Sequence, residues 1–416
     1  MNSQRDVVVI GGGVIGVCAA YYALRAGRGV TILERAEVCS GSSYGNGGAL
    51  VPSHSIPLAA PGAVAQGLRW MFSPESPFYI KPRFDLELLR WLWRFRAAAT
   101  ERRMRESVPV ISEFSRASLA LFEELVAEEK LDCSFARKGT LALYLTDRAL
   151  EEGLAEARIL SQYGIRSERL SPTQVREMEP AVRGGGVGGI FWGVDAHLKP
   201  DDFVLGLASR FRDRGGVIEE GVEVVGFETS ADRVDAVKTS RGDYPCRQVV
   251  LAAGAWSPGV GRDLGLRLPV QAAKGYSVTF ERPESGPQIP LTLSEAVVGV
   301  TPMGSVLRLA GTLELSGINL DIRPRRVEAI LEGARQYVSV DVDSEPREVW
   351  CGLRPLSPDG LPMIGRLESP ANVIVATGHS MTGVTLGPAT GKLVAQLVNE
   401  ETPLVEPGPF SPARFR

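Results

Sequence analysis

The apolar pattern opens with Val7, Val8, Val9 and Ile10 and stops at Gly11, Gly12 and Gly13. Beyond Gly16 apolar residues recur at helical spacing, and a second run over residues 30–33 ends on Glu34. A short apolar run bounded by turn residues reads as a buried strand, and a 3.6-residue recurrence reads as a helix. The stretch is therefore strand, glycine turn, helix, strand, acid. From about residue 101 to 130 the spacing is again helical, with Leu119, Phe122, Leu125 and Val126 on one face. Residues 139–146 read as a strand, 148–163 as a helix, and 170–180 as a short capped helix stopped by proline. The glycine run 184–189 reads as a loop. Residues 195–203 lead into a helix ending near Gly215 and Gly216, followed by a strand pair in which Val222 and Val224 flank Glu223. Val249, Val250 and Leu251 form a buried parallel strand that ends in the small residues Ala252 to Gly254.

The pattern changes between residues 268 and 345. Residues 276–280 alternate, and 296–302 with 305–313 read as a hairpin turning at Met303 and Gly304. The last stretch repeats the opening pattern, with a strand over 373–376, a glycine-rich turn over 377–383, and a helix to about Val398. One parallel sheet thus takes early and late strands, and an antiparallel unit is inserted between them. The boundaries expected are 1–84, 195–268 and 346–416 for the nucleotide domain, and 85–194 with 269–345 for the inserted substrate domain.

At 416 residues the chain exceeds the usual size of a single core, which agrees with two domains. A hydrophobic fraction of 44% with 23% charged residues is that of an ordinary globular protein. The net charge of −3, without a long basic run, excludes a general pull towards nucleic acid. Five scattered cysteines without a C-x-x-C pair fit a reducing compartment and argue against zinc or dithiol chemistry, so no metal is expected. The first strand begins too early for a secretory leader, and no apolar run reaches the roughly 18 residues of a spanning helix. A cytoplasmic protein is expected.

The opening unit carries specific chemistry. Gly11 permits a tight turn, Gly13 lets a pyrophosphate approach the backbone, and Gly16 allows close helix–strand packing. The helix N-terminus, with Val14 and Ile15 in its first turn, offers N–H groups and a favourable dipole to a diphosphate. Glu34 stands where a carboxylate accepts hydrogen bonds from an adenosine ribose and repels a 2′-phosphate. The loop that follows, 40–52, is rich in Gly, Ser and Asn and should lie over the nucleotide. There Ser42, Ser43, Asn46, Gly47, Gly48 and Leu50 are candidates to touch it.

Aromatic residues cluster twice: Trp70, Met71, Phe72, Phe78, Tyr79 and Ile80, then a helix carrying Leu88, Leu89, Trp91, Leu92, Trp93 and Phe95 among Arg90, Arg94 and Arg96. Packing inside the substrate domain is the favoured reading. Contact with a membrane interface is the other, at the inner face of the cell membrane.

Four segments carry a family resemblance: the Gly11–Gly16 fingerprint with Glu34 and Arg35, then VVLAAGAWS, GLRPLSPDGLPMIG and VIVATGHSMTG. Together they resemble the FAD-dependent amine and amino-acid oxidoreductases of the D-amino-acid oxidase and glycine oxidase type. SYGNGGALVPSHSIPLAAPG, LRWLWRF and KGYSVT are most similar to the bacterial D-amino-acid dehydrogenase branch. The resemblance implies an α/β fold: a Rossmann-type FAD-binding domain with an inserted α+β substrate domain on a mainly antiparallel sheet. It implies FAD as cofactor, held at the ADP part by the fingerprint, Glu34 and Arg35, with Val224 at the adenine end and Ala253 and Gly254 beside the pyrophosphate. Gly378, His379, Met381, Thr382, Gly383 and Thr385 would line the flavin ring, and Arg354 would bind the substrate carboxylate. Lys274 and Tyr276, in the KGYSVT run, join Arg354 and His379 as candidate catalytic residues, although a solvated or ion-paired lysine is the more common outcome at such a position. His54 and Met381 are candidate walls of the substrate pocket.

The chemistry supports Arg354 independently, because a guanidinium fork holds a carboxylate in one plane at two points, as lysine does not. With only three histidines, His54, His197 and His379, a histidine base has few candidates, and hydride transfer needs none when the amine arrives deprotonated. His197 is expected to be an ordinary satisfied polar residue, and Cys351 an inert buried thiol. The expected activity is oxidation of a D-amino acid to an imino acid that hydrolyses to a 2-oxo acid and ammonia. Cyclic or secondary amino acids (D-proline, hydroxyproline, glycine, sarcosine) remain the alternative, as does a role as flavin subunit of a larger complex. The electron acceptor, whether a quinone, another carrier or oxygen, is left open.

Overall fold

The computed structural model describes residues 5–65, 67 and 77–415. Its first sheet grows from the opening strand, Arg5–Ile10, which pairs in parallel with Val30–Glu34 on one side and with Gly242–Leu251 on the other. Val217–Glu220 extends the sheet beyond Val30–Glu34, and Val373–Thr377 pairs in parallel with the end of Gly242–Leu251. The antiparallel hairpin of Val224–Ser230 and Arg233–Thr239 joins the start of Gly242–Leu251. Strands covered on both faces read as continuous apolar runs, and Val7, Val8, Val9, Val249, Val250 and Leu251 are all buried.

Two helices cover one face: Val14–Arg25, and Gly387–Asn399 crossing it. A Cβ on Gly391 would stand 2.5 Å from the carbonyl carbon of Cys18, so a glycine is needed where the two backbones meet. The last helix begins at Gly387 rather than directly after Gly383. Left-handed Gly378 and Ser380 keep the intervening segment in turns, and Pro388 marks the true start.

The second sheet is built on antiparallel neighbours Glu348–Leu356, Gln271–Glu281, Val306–Leu315 and Val298–Met303. It continues through Leu291–Leu293, Thr140–Tyr144, Gly188–Trp192 and Glu168–Leu170, and Leu291–Leu293 pairs with Thr140–Tyr144 in parallel. The turn between Met303 and Val306 contains Gly304 with φ +60°, where the hairpin was expected.

Three segments pair or pack across the expected domain boundaries. Glu348–Leu356 is an edge strand of the second sheet, although it falls within 346–416, and Phe78–Ile80 pairs with Leu313–Leu315 of that same sheet. The long helix Glu101–Glu129 buries Phe114, Leu119, Phe122 and Leu125 in the core of the nucleotide sheet, not among the residues of the second sheet. In Leu86–Ala98, Leu88 and Trp91 are buried while Leu89 and Trp93 are exposed, so core packing accounts for only one face of that helix. Trp70, Met71 and Phe72 lie outside the described residues.

Candidate active site

The two sheets meet around a cavity of about 670 Å³. At one end the fingerprint shapes it. Gly11 has φ +110°, and a Cβ there would stand 2.6 Å from the Ala252 carbonyl oxygen. Gly16 serves packing instead, since a Cβ on it would stand 1.8 Å from the Gly11 carbonyl oxygen, and it does not line the cavity. Glu34 closes this end: its Oε2 accepts from the Gly12 amide at 2.7 Å and its Oε1 from the Ala36 amide at 3.0 Å. A carboxylate has further lone pairs beyond these two. Ser43 Oγ accepts from the Val14 amide at 3.0 Å, so the loop is tied to the first turn of the helix.

Of the nucleotide-side candidates, Gly11, Gly13, Val14, Ile15, Glu34, Arg35, Ser42, Ser43, Asn46, Gly47, Val224, Ala253 and Gly254 line the cavity. Gly48 and Leu50 do not. The Gly48 carbonyl accepts from the Leu198 amide at 2.9 Å, and Leu50 lies in a two-residue strand, Ala49–Leu50, that pairs with Ala196–His197, so both residues are engaged in protein contacts. Arg35 stacks its guanidinium 3.9 Å from the ring centre of Trp256, a cavity-lining residue that sequence reasoning missed.

The other end belongs to the second sheet. Side chains two apart on a strand share a face, which puts Trp350, Gly352 and Arg354 together. Arg354 is half-buried and lines the cavity, with Nη1 donating to the Thr312 carbonyl at 2.8 Å. Among the described residues no carboxylate pairs with it, and burial draws its pKa down to about 10. Its guanidinium lies across Gly275, where a Cβ would stand 1.9 Å from Nη1. Trp350 is wedged between glycines, 2.0 Å from a Cβ built on Gly45 and 2.0 Å from one built on Gly352. Sequence reasoning did not name Trp350, although strand periodicity counted back from Arg354 could have found it. Nothing in the sequence set the register that brings Gly275 under the guanidinium.

The remaining candidates divide. His379 and Gly383 line the cavity, and His379 is buried, 3.0 Å from Thr390 Oγ1, with its pKa lowered by desolvation to about 3. Gly378, Thr382 and Thr385 do not line it. A Cβ on Gly378 would meet Met363, Thr382 donates to the His379 carbonyl, and Thr385 Oγ1 bonds to Val51 and Ala49. Met381 and His54 are exposed and stand off the cavity wall.

Lys274 takes the ion-paired outcome rather than the catalytic one. It is fully buried and turned away from Arg354, donating to Asn319 Oδ1 at 2.6 Å and the Asp321 carbonyl at 2.9 Å, with Glu314 Oε1 at 3.5 Å. Tyr276 borders the cavity, but its hydroxyl points to Glu314 Oε2 at 3.3 Å and its ring packs with Val278 and Phe280. The alternation that brings Gly275 to the cavity sends both neighbours to the opposite face. His197 is buried with Nδ1 unpaired, rather than satisfied. Cys351 is buried and donates to the Leu320 carbonyl, and burial raises its pKa.

A cavity with a glycine cradle and helix N-terminus at one end, an acid beside them, and a guanidinium without a carboxylate partner at the other fits a dinucleotide whose reactive ring lies near Arg354. Likeness to known proteins points the same way. The chain is 34% identical to a D-amino acid dehydrogenase of Methylobacterium nodulans over 98% of its own length and 99% of that protein. It is 30% identical to a D-amino acid dehydrogenase of Neisseria meningitidis over 99% of each chain. Its fold is similar to that of glycine oxidase from Bacillus cereus, with a TM-score of 0.78 at 23% identity over 96% of both chains. It is also similar to L-proline dehydrogenase from P. horikoshii, with a TM-score of 0.79 at 19% identity over 100% of this chain and 98% of that one. The family model described as FAD dependent oxidoreductase matches residues 6–397, and the chain is a member of that DAO family, a flavoenzyme whose cofactor is FAD.

Proposed function

We propose that the protein oxidises a D-amino acid to its imino acid, which water then hydrolyses to a 2-oxo acid and ammonia. The observation that carries this reading is Arg354: a guanidinium lining the cavity, bonded to one main-chain carbonyl, with no carboxylate partner among the described residues. Such a group has its planar fork free for a substrate carboxylate, and the binding energy of that pair fixes where Cα lies. FAD, when bound, supplies the two-electron acceptor that takes the hydride from Cα at N5. Gly275 keeps the floor under the guanidinium clear, and Trp350 fills the adjoining wall. His379, held neutral by burial, is unsuited to receiving the ammonium proton near pH 7, and hydride transfer needs no such base when the amine arrives neutral. The relatives named D-amino acid dehydrogenase support the choice of substrate.

Phe84 and Trp93 are 89% and 72% exposed, Leu86 and Leu89 lie with them, and Lys81, Arg90 and Arg96 are exposed nearby. This patch supports peripheral contact with an anionic membrane, where a lipophilic acceptor would be at hand. No helix among the described residues is long and apolar enough to cross one.

Anaerobic mixing of the yellow protein with D- and L-amino acids, glycine and D-proline tests the reaction. D-amino acids should bleach the flavin absorbance. Bleaching by glycine or D-proline alone would shift the assignment to secondary or cyclic substrates, and no bleaching by any would overturn it.

A further inference from the structure

We infer that Arg308 is a positioning residue for the cofactor, acting through the backbone of the loop over residues 40–48. Arg308 lies on Val306–Leu315 of the second sheet and is 2% exposed. Its Nε donates to Thr279 Oγ1 at 3.1 Å, and its Nη1 donates to two main-chain carbonyls of the loop, Tyr44 at 2.8 Å and Asn46 at 3.1 Å. The nearest carboxylate oxygen, on Asp201, is 4.0 Å away. The loop carbonyls are therefore its principal charge-assisted acceptors.

A trans peptide points its C=O and the following N–H in opposite directions. With the carbonyls of Tyr44 and Asn46 turned to Arg308, the amides of Gly45 and Gly47 are turned away from it. Both glycines line the cavity, and neither amide has an acceptor among the described residues. The neighbouring amides do have one: Asn46 bonds to the Ser43 carbonyl and Gly48 to Asn46 Oδ1. Gly45 is buried and Gly47 half-buried, and main-chain N–H groups without a protein partner at a cavity wall are open to a ligand acceptor. Arg308 thus holds two main-chain donors towards the cavity from behind the loop without lining it itself, and the electron-rich edge of a flavin would be their acceptor.

The test uses purified holoenzyme and the variants Arg308→Met and Arg308→Lys. Both loop bonds come from a single nitrogen, so a lysine ammonium can bridge the same two carbonyls, whereas methionine fills the space and bridges none. Arg308→Met should weaken FAD binding at least about tenfold. It should also shift the visible flavin spectrum and lower the flavin midpoint potential, while Arg308→Lys should return most of each change. Unaltered spectrum, potential and FAD affinity in folded Arg308→Met would overturn the assignment, as would a lysine variant no better than methionine. If Arg308→Met does not fold, Thr279→Val decides. It frees the guanidinium to swing, and should shift the spectrum in the same direction; an unshifted spectrum there would equally overturn the inference.

Discussion

The guanidinium of Arg354 rests on the α-carbon of Gly275, with room for hydrogen and nothing larger: a Cβ at that position would stand 1.9 Å from Nη1 and 2.3 Å from Cζ. The two residues lie on adjacent strands, Arg354 opposite Ala273 and Gly275 opposite Gly352. Gly275→Ala must therefore lift or swing the guanidinium by an ångström or more. Misplacement on that scale costs on the order of 100-fold in turnover when a group orients the reacting carbon. The expected outcome is a loss of about 10- to 100-fold in kcat/KM for amino acids, with FAD content and spectrum retained. Steady-state kinetics beside a flavin titration checks both halves.

Replacing Arg354 itself should separate stability from function. Its charge is held in a desolvated place without a carboxylate partner, which is why its pKa falls to about 10. A base with a depressed pKa destabilises the fold at every pH below that value, so removing the charge should relieve the penalty. Arg354→Met is expected to raise stability by roughly 1–3 kcal/mol at pH 7 while turnover of carboxylate substrates collapses. Thermal unfolding of the apoprotein gives the first and kinetics the second. A variant that is both active and no more stable would remove Arg354 from the site.

The nucleotide half was legible because its signals are local. An apolar run, a glycine turn, a helical pattern and a closing acid lie within thirty residues, and the cavity end they form contains Gly11 and Gly13 with Glu34 and Arg35, while Gly16 serves packing. The hairpin about Gly304 and the helix Glu101–Glu129 were legible for the same reason. Register was not. Whether Lys274, Gly275 or Tyr276 faces the cavity depends on a single-residue choice that period two leaves undetermined until the strand is paired. The burial of Lys274 was hidden too, since its partners Asn319 and Glu314 come from a strand and loop some forty residues away. Met381 and His54 missed the cavity because the turns that carry them are tied down by distant partners: the Ser380 amide donates to the Pro355 carbonyl, and Ser53, in the short helix Pro52–His54, bonds to Asp195.

His379 gives a pH prediction. Its imidazole is buried beside Thr390 and desolvation lowers its pKa to about 3. Between pH 5 and 8 it stays neutral, so kcat/KM should show no limb belonging to a histidine and should rise with pH as the substrate ammonium loses its proton. His379→Gln should change the height of the profile and leave its shape. A limb near 6.5 that vanished in this variant would show that His379 does titrate.

Asp195 predicts a pH dependence of stability. Its carboxyl is fully buried, accepts from the Ser53 amide at 3.1 Å and the Ser53 hydroxyl at 2.6 Å, and is pushed up to about 7 by desolvation. The folded state then holds a proton that the unfolded state has released, so stability from this group is lost as pH rises from about 4 through 7. Asp195→Asn keeps the shape and cannot ionise. It should be more stable than the wild type at pH 8, by up to roughly 4 kcal/mol, with the gap closing towards pH 4. Denaturant unfolding across that range checks it; a gap independent of pH would sink the idea.

The exposed face of the helix Leu86–Ala98 predicts a binding partner that is a surface rather than a pocket. Leu88 and Trp91 already anchor the helix, with Trp91 Nε1 donating to the Leu356 carbonyl at 3.1 Å, so Phe84, Leu86, Leu89 and Trp93 are not needed to hold it in place. Their loss should leave folding intact. An aromatic side chain moved from water into an apolar layer contributes roughly 1.5–3 kcal/mol, and exposed basic residues add an attraction to anionic lipid that salt screens. Phe84→Ser with Trp93→Ser should therefore lower partitioning onto phosphatidylserine-containing vesicles by about 100-fold or more, with turnover of amino acids by a soluble dye unchanged. Wild-type binding should weaken between low and high salt, and be weaker on neutral vesicles. Equal sedimentation of wild type and double variant with anionic vesicles would show that this face does not meet the membrane.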